Sequence, residues 1–197
     1  MKKTFFLPFY LFTLLLLIGC GAEQEYSSWP CRFIYDNSIH LDATLSTAMN
    51  YHSRGVFCKI TTSSTGGVKY YNFANNDGLS SQQRETAVEK EGNFRLGLNE
   101  GIIVGFQTLN AQEANGGFAA YDQQCPNCVR KENNTTSPHY PVKMDSKGLA
   151  TCTKCGRQYD LNNGGLILNG EKGDVGLERY RRASTTGPQG TLSVFSE

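Results

Sequence analysis

Long helical periodicities are scarce in this chain of 197 residues, and past residue 18 no stretch is apolar enough to span a membrane. Both absences argue against a helical bundle or a polytopic membrane protein. An excess of charge of one sign is also missing. The chain has 19 Lys and Arg against 18 Asp and Glu, so it has no electrostatic reason to bind nucleic acid. The short basic run Glu178-Arg179-Tyr180-Arg181-Arg182 reads as a solvated strand end. Histidine is rare: His40, His52 and His139 are the only three. There is no Gly-x-Ser-x-Gly, no phosphate-cradling glycine loop and no carboxylate pair with supporting context. The expectation is a protein that is not an enzyme, and an electron carrier at most if it is redox-active.

What is present is glycine (21 residues) and aromatic side chains (11 Phe and 10 Tyr), a mixture that favours an all-β domain with many turns. Strands are predicted over 31–35, 56–61, 68–73, 101–106, 118–122, 166–168 and 192–195, with another near Tyr180. Turns fall at 63–67, 75–78, 116–117, 147–148 and 162–165. Residues 41–49 fit neither period. Residues 81–90 are predicted as a short surface helix capped by Ser80 or Ser81. Residues 133–141, with two prolines, are a loop. Asp160 is expected to anchor a turn.

The chain opens on a positive head, Met1-Lys2-Lys3, followed by an almost wholly apolar run over 5–18, the layout of an export signal. Its end, Leu17-Ile18-Gly19-Cys20, resembles the lipobox of bacterial lipoproteins. That resemblance implies removal of residues 1–19, lipid on Cys20, and a cell-envelope, extracytoplasmic protein anchored to a membrane. Residues 20–29 then read as a tether and 30–197 as one domain. Without Lys2 and Lys3 the net charge changes from +1 to −1.

Seven cysteines are present. Four form two C-x-x-C hooks, Cys125-Pro126-Asn127-Cys128 and Cys152-Thr153-Lys154-Cys155, with 23 residues between them. The usual zinc spacing is about 15–20 residues, so this separation is slightly long but compatible. A β-hairpin between the hooks would bring four sulfurs to one point, which suits zinc or iron. Gly156 after the second hook permits the positive φ that turns backbone N–H groups toward sulfur. Three readings stay open: a structural zinc site in an accessory or binding role, an electron-transfer centre with a 2Fe–2S cluster or a single iron, and a metal-free form with disulfides in the hooks. His139 lies between the hooks and reads as a solvated loop residue. Cys31 and Cys58 are left over. They are either a disulfide pair or two small buried residues.

Several landmarks in order resemble a Rieske domain, most clearly over 101–197 and more weakly over 30–100. Gly101-Ile102-Ile103-Val104-Gly105 resembles the strand before the cluster, and Phe118-Ala119-Ala120-Tyr121-Asp122 with Cys125-Pro126 resembles the approach to the first ligand loop. Cys152-x-x-Cys155-Gly156-Arg157-Gln158-Tyr159-Asp160, with Gly164, resembles the second loop and its tail; Leu177 and Tyr180 fit the return strand. The resemblance implies an antiparallel β sandwich carrying a small ribbon-like metal-binding subdomain, here about 122–162. It also implies one Cys and one His from each loop. Asn127 and Cys155 stand at the two histidine positions, so any cluster here should lack the high potential that imidazole ligands give. The partners expected are the membrane, through Cys20, and a redox or envelope protein.

Overall fold

The structure, a computed structural model, describes residues 26–113 and 115–197. The export signal, Cys20 and tether residues 21–25 lie outside the described residues. The class is all-β and antiparallel, with short helices at the connections.

Three sheets are stacked around two apolar cores. The central sheet is 5-stranded, in the order β4-β3-β2-β5-β6. Its strands are β2 (Phe57–Thr65), β3 (Val68–Asn75), β4 (Ser80–Arg84), β5 (Gly101–Phe106) and β6 (Phe118–Asp122). A 3-stranded sheet joins β1 (Arg32–Asp36), β12 (Thr191–Phe195) and β11 (Arg182–Thr185). A 4-stranded sheet holds β10 (Leu166–Ile167), β9 (Gln158–Asp160), β8 (Leu149–Cys152) and β7 (Val142–Met144). All pairings between these strands are antiparallel; an isolated bridge between Tyr26 and Arg179 is parallel.

This layering explains why β5 and β6 read as unbroken apolar runs. Side chains alternate across a strand, so a strand covered on both faces needs apolar residues at every position. Ile102, Val104, Phe106, Phe118 and Ala120 enter the core shared with the 3-stranded sheet. Ile103, Ala119 and Tyr121 enter the second core, beneath the 4-stranded sheet. Phe57 and Cys58, neighbours on β2, split between the two cores in the same way. The Tyr121 hydroxyl donates to the Leu161 carbonyl at 2.9 Å and ties the sheets together.

At Gly105 the backbone of the neighbouring strand comes close. A Cβ there would lie 2.4 Å from the Val56 carbonyl oxygen and 2.7 Å from the Phe57 ring. Gly105→Ala should therefore destabilise the fold by about 2–3 kcal/mol through overpacking against backbone. A urea unfolding curve that matches the parent protein would refute this.

The local hydrogen bonding corrects two expectations and settles one stretch left open. First, the predicted helix over 81–90 is a strand followed by a helix. β4 pairs with β3, and Ser81 Oγ and Gln83 Nε2 both donate to Asp42, at 2.9 and 3.0 Å. Its inward positions are polar, so no apolar period announced it. The helix α3 (Ala87–Gly92) starts at Thr86 with a full capping box to Glu89. Second, residues 41–49 contain helix α2 (Ala43–Ala48), where Asp42 Oδ1 accepts from the Leu45 N–H at 2.9 Å. It follows a single turn, α1 (Asn37–His40), capped by Asp36. Third, residues 26–29 are docked rather than tether. The Ser27 N–H donates to the Arg179 carbonyl at 2.7 Å, and Trp29 packs on the second core. Arg179 itself is buried and paired with both carboxylate oxygens of Glu113, so only Arg181 and Arg182 of the basic run are solvated.

Candidate metal centre

The four hook cysteines converge. Their sulfurs all lie within 4.8 Å of one another. Two pairs that run between the hooks, Cys125–Cys155 and Cys128–Cys152, are each 3.7 Å apart. A tetrahedral ion with metal–sulfur bonds of about 2.3 Å would set its ligand sulfurs about 3.8 Å apart. The quartet therefore has the size of a single-ion site, and the residues present fit a metal.

The two hooks reach this point by different local structures. The expected hairpin between the hooks is β7 and β8; the first hook itself is a helix start. Cys125 is the N-cap of helix α4 (Pro126–Glu132), and Cys128 sits in its first turn. Pro126 occupies the first turn, where its fixed φ and missing N–H cost nothing. The second hook leaves β8 and turns tightly. The N–H groups of Lys154 and Cys155 point at Cys152 Sγ, and the Gly156 N–H donates to the Cys152 carbonyl at 3.1 Å. Gly156 takes φ +73°, as its role in the knuckle requires.

Three of the sulfurs are buried; Cys155 is partly exposed. Burial and mutual hydrogen bonding split the thiols electrostatically. Cys152 is pulled down to about 4, first by the neighbouring Cys125 thiol and then, against burial, by backbone N–H groups. Cys125 is pushed well above the ordinary thiol value by that same contact and by burial, and Cys128 is raised to about 12, chiefly by burial. A bound ion must therefore displace protons, so affinity for it rises with pH.

Around the quartet is a layer of polar support. The Tyr159 hydroxyl accepts from Asn127 Nδ2 at 3.0 Å and in turn donates to Cys125 Sγ at 3.0 Å. Asn127 also clamps Val175, donating to its carbonyl at 2.9 Å and accepting from its N–H at 3.0 Å. Arg157, beside Cys155, is anchored by Asp174 at 2.7 Å, and Lys154 of the second hook pairs with Glu132 on α4. These two cations lie where four thiolates around a divalent ion would leave net negative charge. Tyr159→Phe should weaken metal retention by about tenfold, because a hydrogen bond to a ligand sulfur is lost without disturbing the core. Competition with a chromogenic chelator measures this, and unchanged retention would sink it.

Asn127 stood out in the sequence only as a missing histidine, and the 171–175 loop carried no signal at all. The polar layer around the quartet thus runs past 162 to Val175. Asp160 does anchor a turn, accepting from the Asn162 N–H at 2.9 Å. His139 is exposed and outside the quartet. Cys31 and Cys58 are not bonded to each other. Both are free buried thiols in the first core, Cys31 directed at the Val194 carbonyl and Cys58 at that of Lys59. Disulfides within the hooks are not formed either: all four thiols are free.

No family model, curated protein or solved structure matches this chain. The reading of its function accordingly rests on the site.

Proposed function

We propose that this chain is a lipid-anchored envelope protein with a Rieske-like domain, in which one zinc ion on Cys125, Cys128, Cys152 and Cys155 stabilises the smaller unit. The observation that carries this reading is the size of the sulfur quartet, at most 4.8 Å across. A two-iron cluster holds two cysteines on each iron and would spread sulfurs on different irons to more than about 5 Å. A single ion is the better fit. Four thiolates close its coordination sphere and leave no place for a water nucleophile, so the role is structural and the protein a binding or accessory one. The Rieske relation is supported by antiparallel sheets of which a smaller one carries the second cysteine loop, with the first at the start of helix α4. A single iron on the same sulfurs is the second reading, with electron transfer to an envelope partner. The Tyr159 hydroxyl on Cys125 Sγ favours it, since hydrogen bonds to ligand sulfur tune a redox potential. With lipid on Cys20, the few residues before Tyr26 would hold the domain within about 20 Å of the membrane.

Protein purified without chelator tests these readings through metal analysis and an absorption spectrum. One zinc per colourless chain is the expected result. Visible bands with an electron spin resonance signal would replace zinc by iron, and absence of both metals would refute the site. The mass of the mature chain reports acylation of Cys20 independently.

A further inference from the structure

The quartet is not symmetric, and its asymmetry points to a site of oxidation. Of the four sulfurs only that of Cys155 belongs to a partly exposed residue. Across the hooks its sulfur lies 3.7 Å from that of the fully buried Cys125. The remaining two, Cys128 and Cys152, form a second pair at 3.7 Å, also between hooks. We propose that Cys155 is a peroxide-reactive residue that Cys125 resolves, so that oxidation exchanges the metal ion for a disulfide joining the two hooks.

The chemistry balances with hydrogen peroxide as the oxidant. The Cys155 thiolate attacks one peroxide oxygen; an S–O bond forms, the O–O bond breaks, and hydroxide leaves. The Cys125 thiolate then attacks the Cys155 sulfur; the S–S bond forms, the S–O bond breaks, and a second hydroxide leaves. Two thiolates supply the two electrons that reduce the peroxide, and the ion, deprived of two ligands, is released. The Cys128–Cys152 pair can repeat the step with a second peroxide. Because the link is made between hooks, α4 and the 4-stranded sheet stay clamped after the metal has gone. A disulfide inside either hook would leave them unjoined. The centre would thus be a reversible switch between two cross-links of the same topology.

The proposal rests on the four-cysteine site, and its test separates the two. Full-length protein carrying zinc is treated with one equivalent of hydrogen peroxide, alkylated, and digested with trypsin, which cuts at Lys154 between the cysteines of the second hook. Fragmentation then distinguishes Cys125 from Cys128. The expected first product is a Cys125–Cys155 link, formed together with release of about one zinc per chain and reversed by thiol reductant with renewed zinc uptake. A first link within a hook would overturn the proposal and leave the metal site standing. So would Cys155 carried on to sulfinic acid while Cys125 still alkylates, or zinc retained with all four thiols unreacted. If the protein holds no metal as purified, the metal reading fails and the exchange with it, while the order of linkage read from the same digest still decides whether Cys155 reacts and Cys125 resolves it.

Discussion

Replacing Cys152 with serine should cut metal content from one ion per chain to less than about a tenth, with affinity falling on the order of a thousandfold or more. Cys152 lies centrally in the quartet: it contacts Cys128 at 3.7 Å and receives the backbone N–H groups of the second knuckle. A serine hydroxyl reaches less far and is a poor ligand for a soft site. The structural effect should be local. Cys125, Cys128 and Cys152 all belong to the second core, together with Tyr140, Val142, Ala150 and Tyr159, whereas the first core contains no hook residue. Amide hydrogen exchange should therefore speed up over 120–165 while the protected strands facing the first core keep their rates. Unchanged metal content in this variant would show that the site is misassigned. Global unfolding would show that the two cores are one cooperative unit.

The second large effect centres on Asp122, three residues before the first hook. Its carboxylate is fully buried and accepts from three donors, each at 2.7 Å: the N–H groups of Leu98 and Gln124 and the Tyr180 hydroxyl. It fastens the return segment at Tyr180 and the loop at Leu98 to the entry of the metal loop. Asp122→Ala leaves these donors unanswered in the interior and should cost about 4 kcal/mol. The same burial sets a pH dependence. Desolvation raises the carboxyl from 3.8 to about 6, although the three hydrogen bonds oppose it. The folded chain thus holds this proton more tightly than the unfolded chain does. The associated stabilisation is complete below the unfolded value and is lost as pH rises through 6, a span of about 3 kcal/mol. Comparing melting of the parent protein with Asp122→Asn at pH 7.5 and pH 5 isolates this contribution from other titrating groups. The parent should gain on the variant as pH falls, and parallel shifts would refute the assignment.

Much of this arrangement was written in the order of residues. The apolar runs of β5 and β6 and the glycine turn between β2 and β3 are local features, and local features survive folding unchanged. The hooks were legible because two thiols three positions apart can hold one ion wherever the chain takes them. Strand β4 was not legible, because its partners are polar. Ser81 and Gln83 face Asp42, a residue some forty positions away, and no periodicity encodes such a contact. The helix at the first hook was not legible for a related reason. Pro126 opens it, and whether the chain turns helical there depends on where the Cys125 sulfur must point.

Sequence by itself determined that this is a β-rich chain with four cysteines spaced for a metal, since composition and short-range spacing are properties of the unfolded chain. Only the tertiary structure decided that the four sulfurs meet within the span of one ion, that Tyr159 and Asn127 brace them, and that Cys31 and Cys58 are separate free thiols. Those outcomes depend on distances between residues tens of positions apart. Such distances are fixed only when Phe57, Ile103 and Tyr121 on one sheet close against Ala150 and Tyr159 on another and exclude water between them.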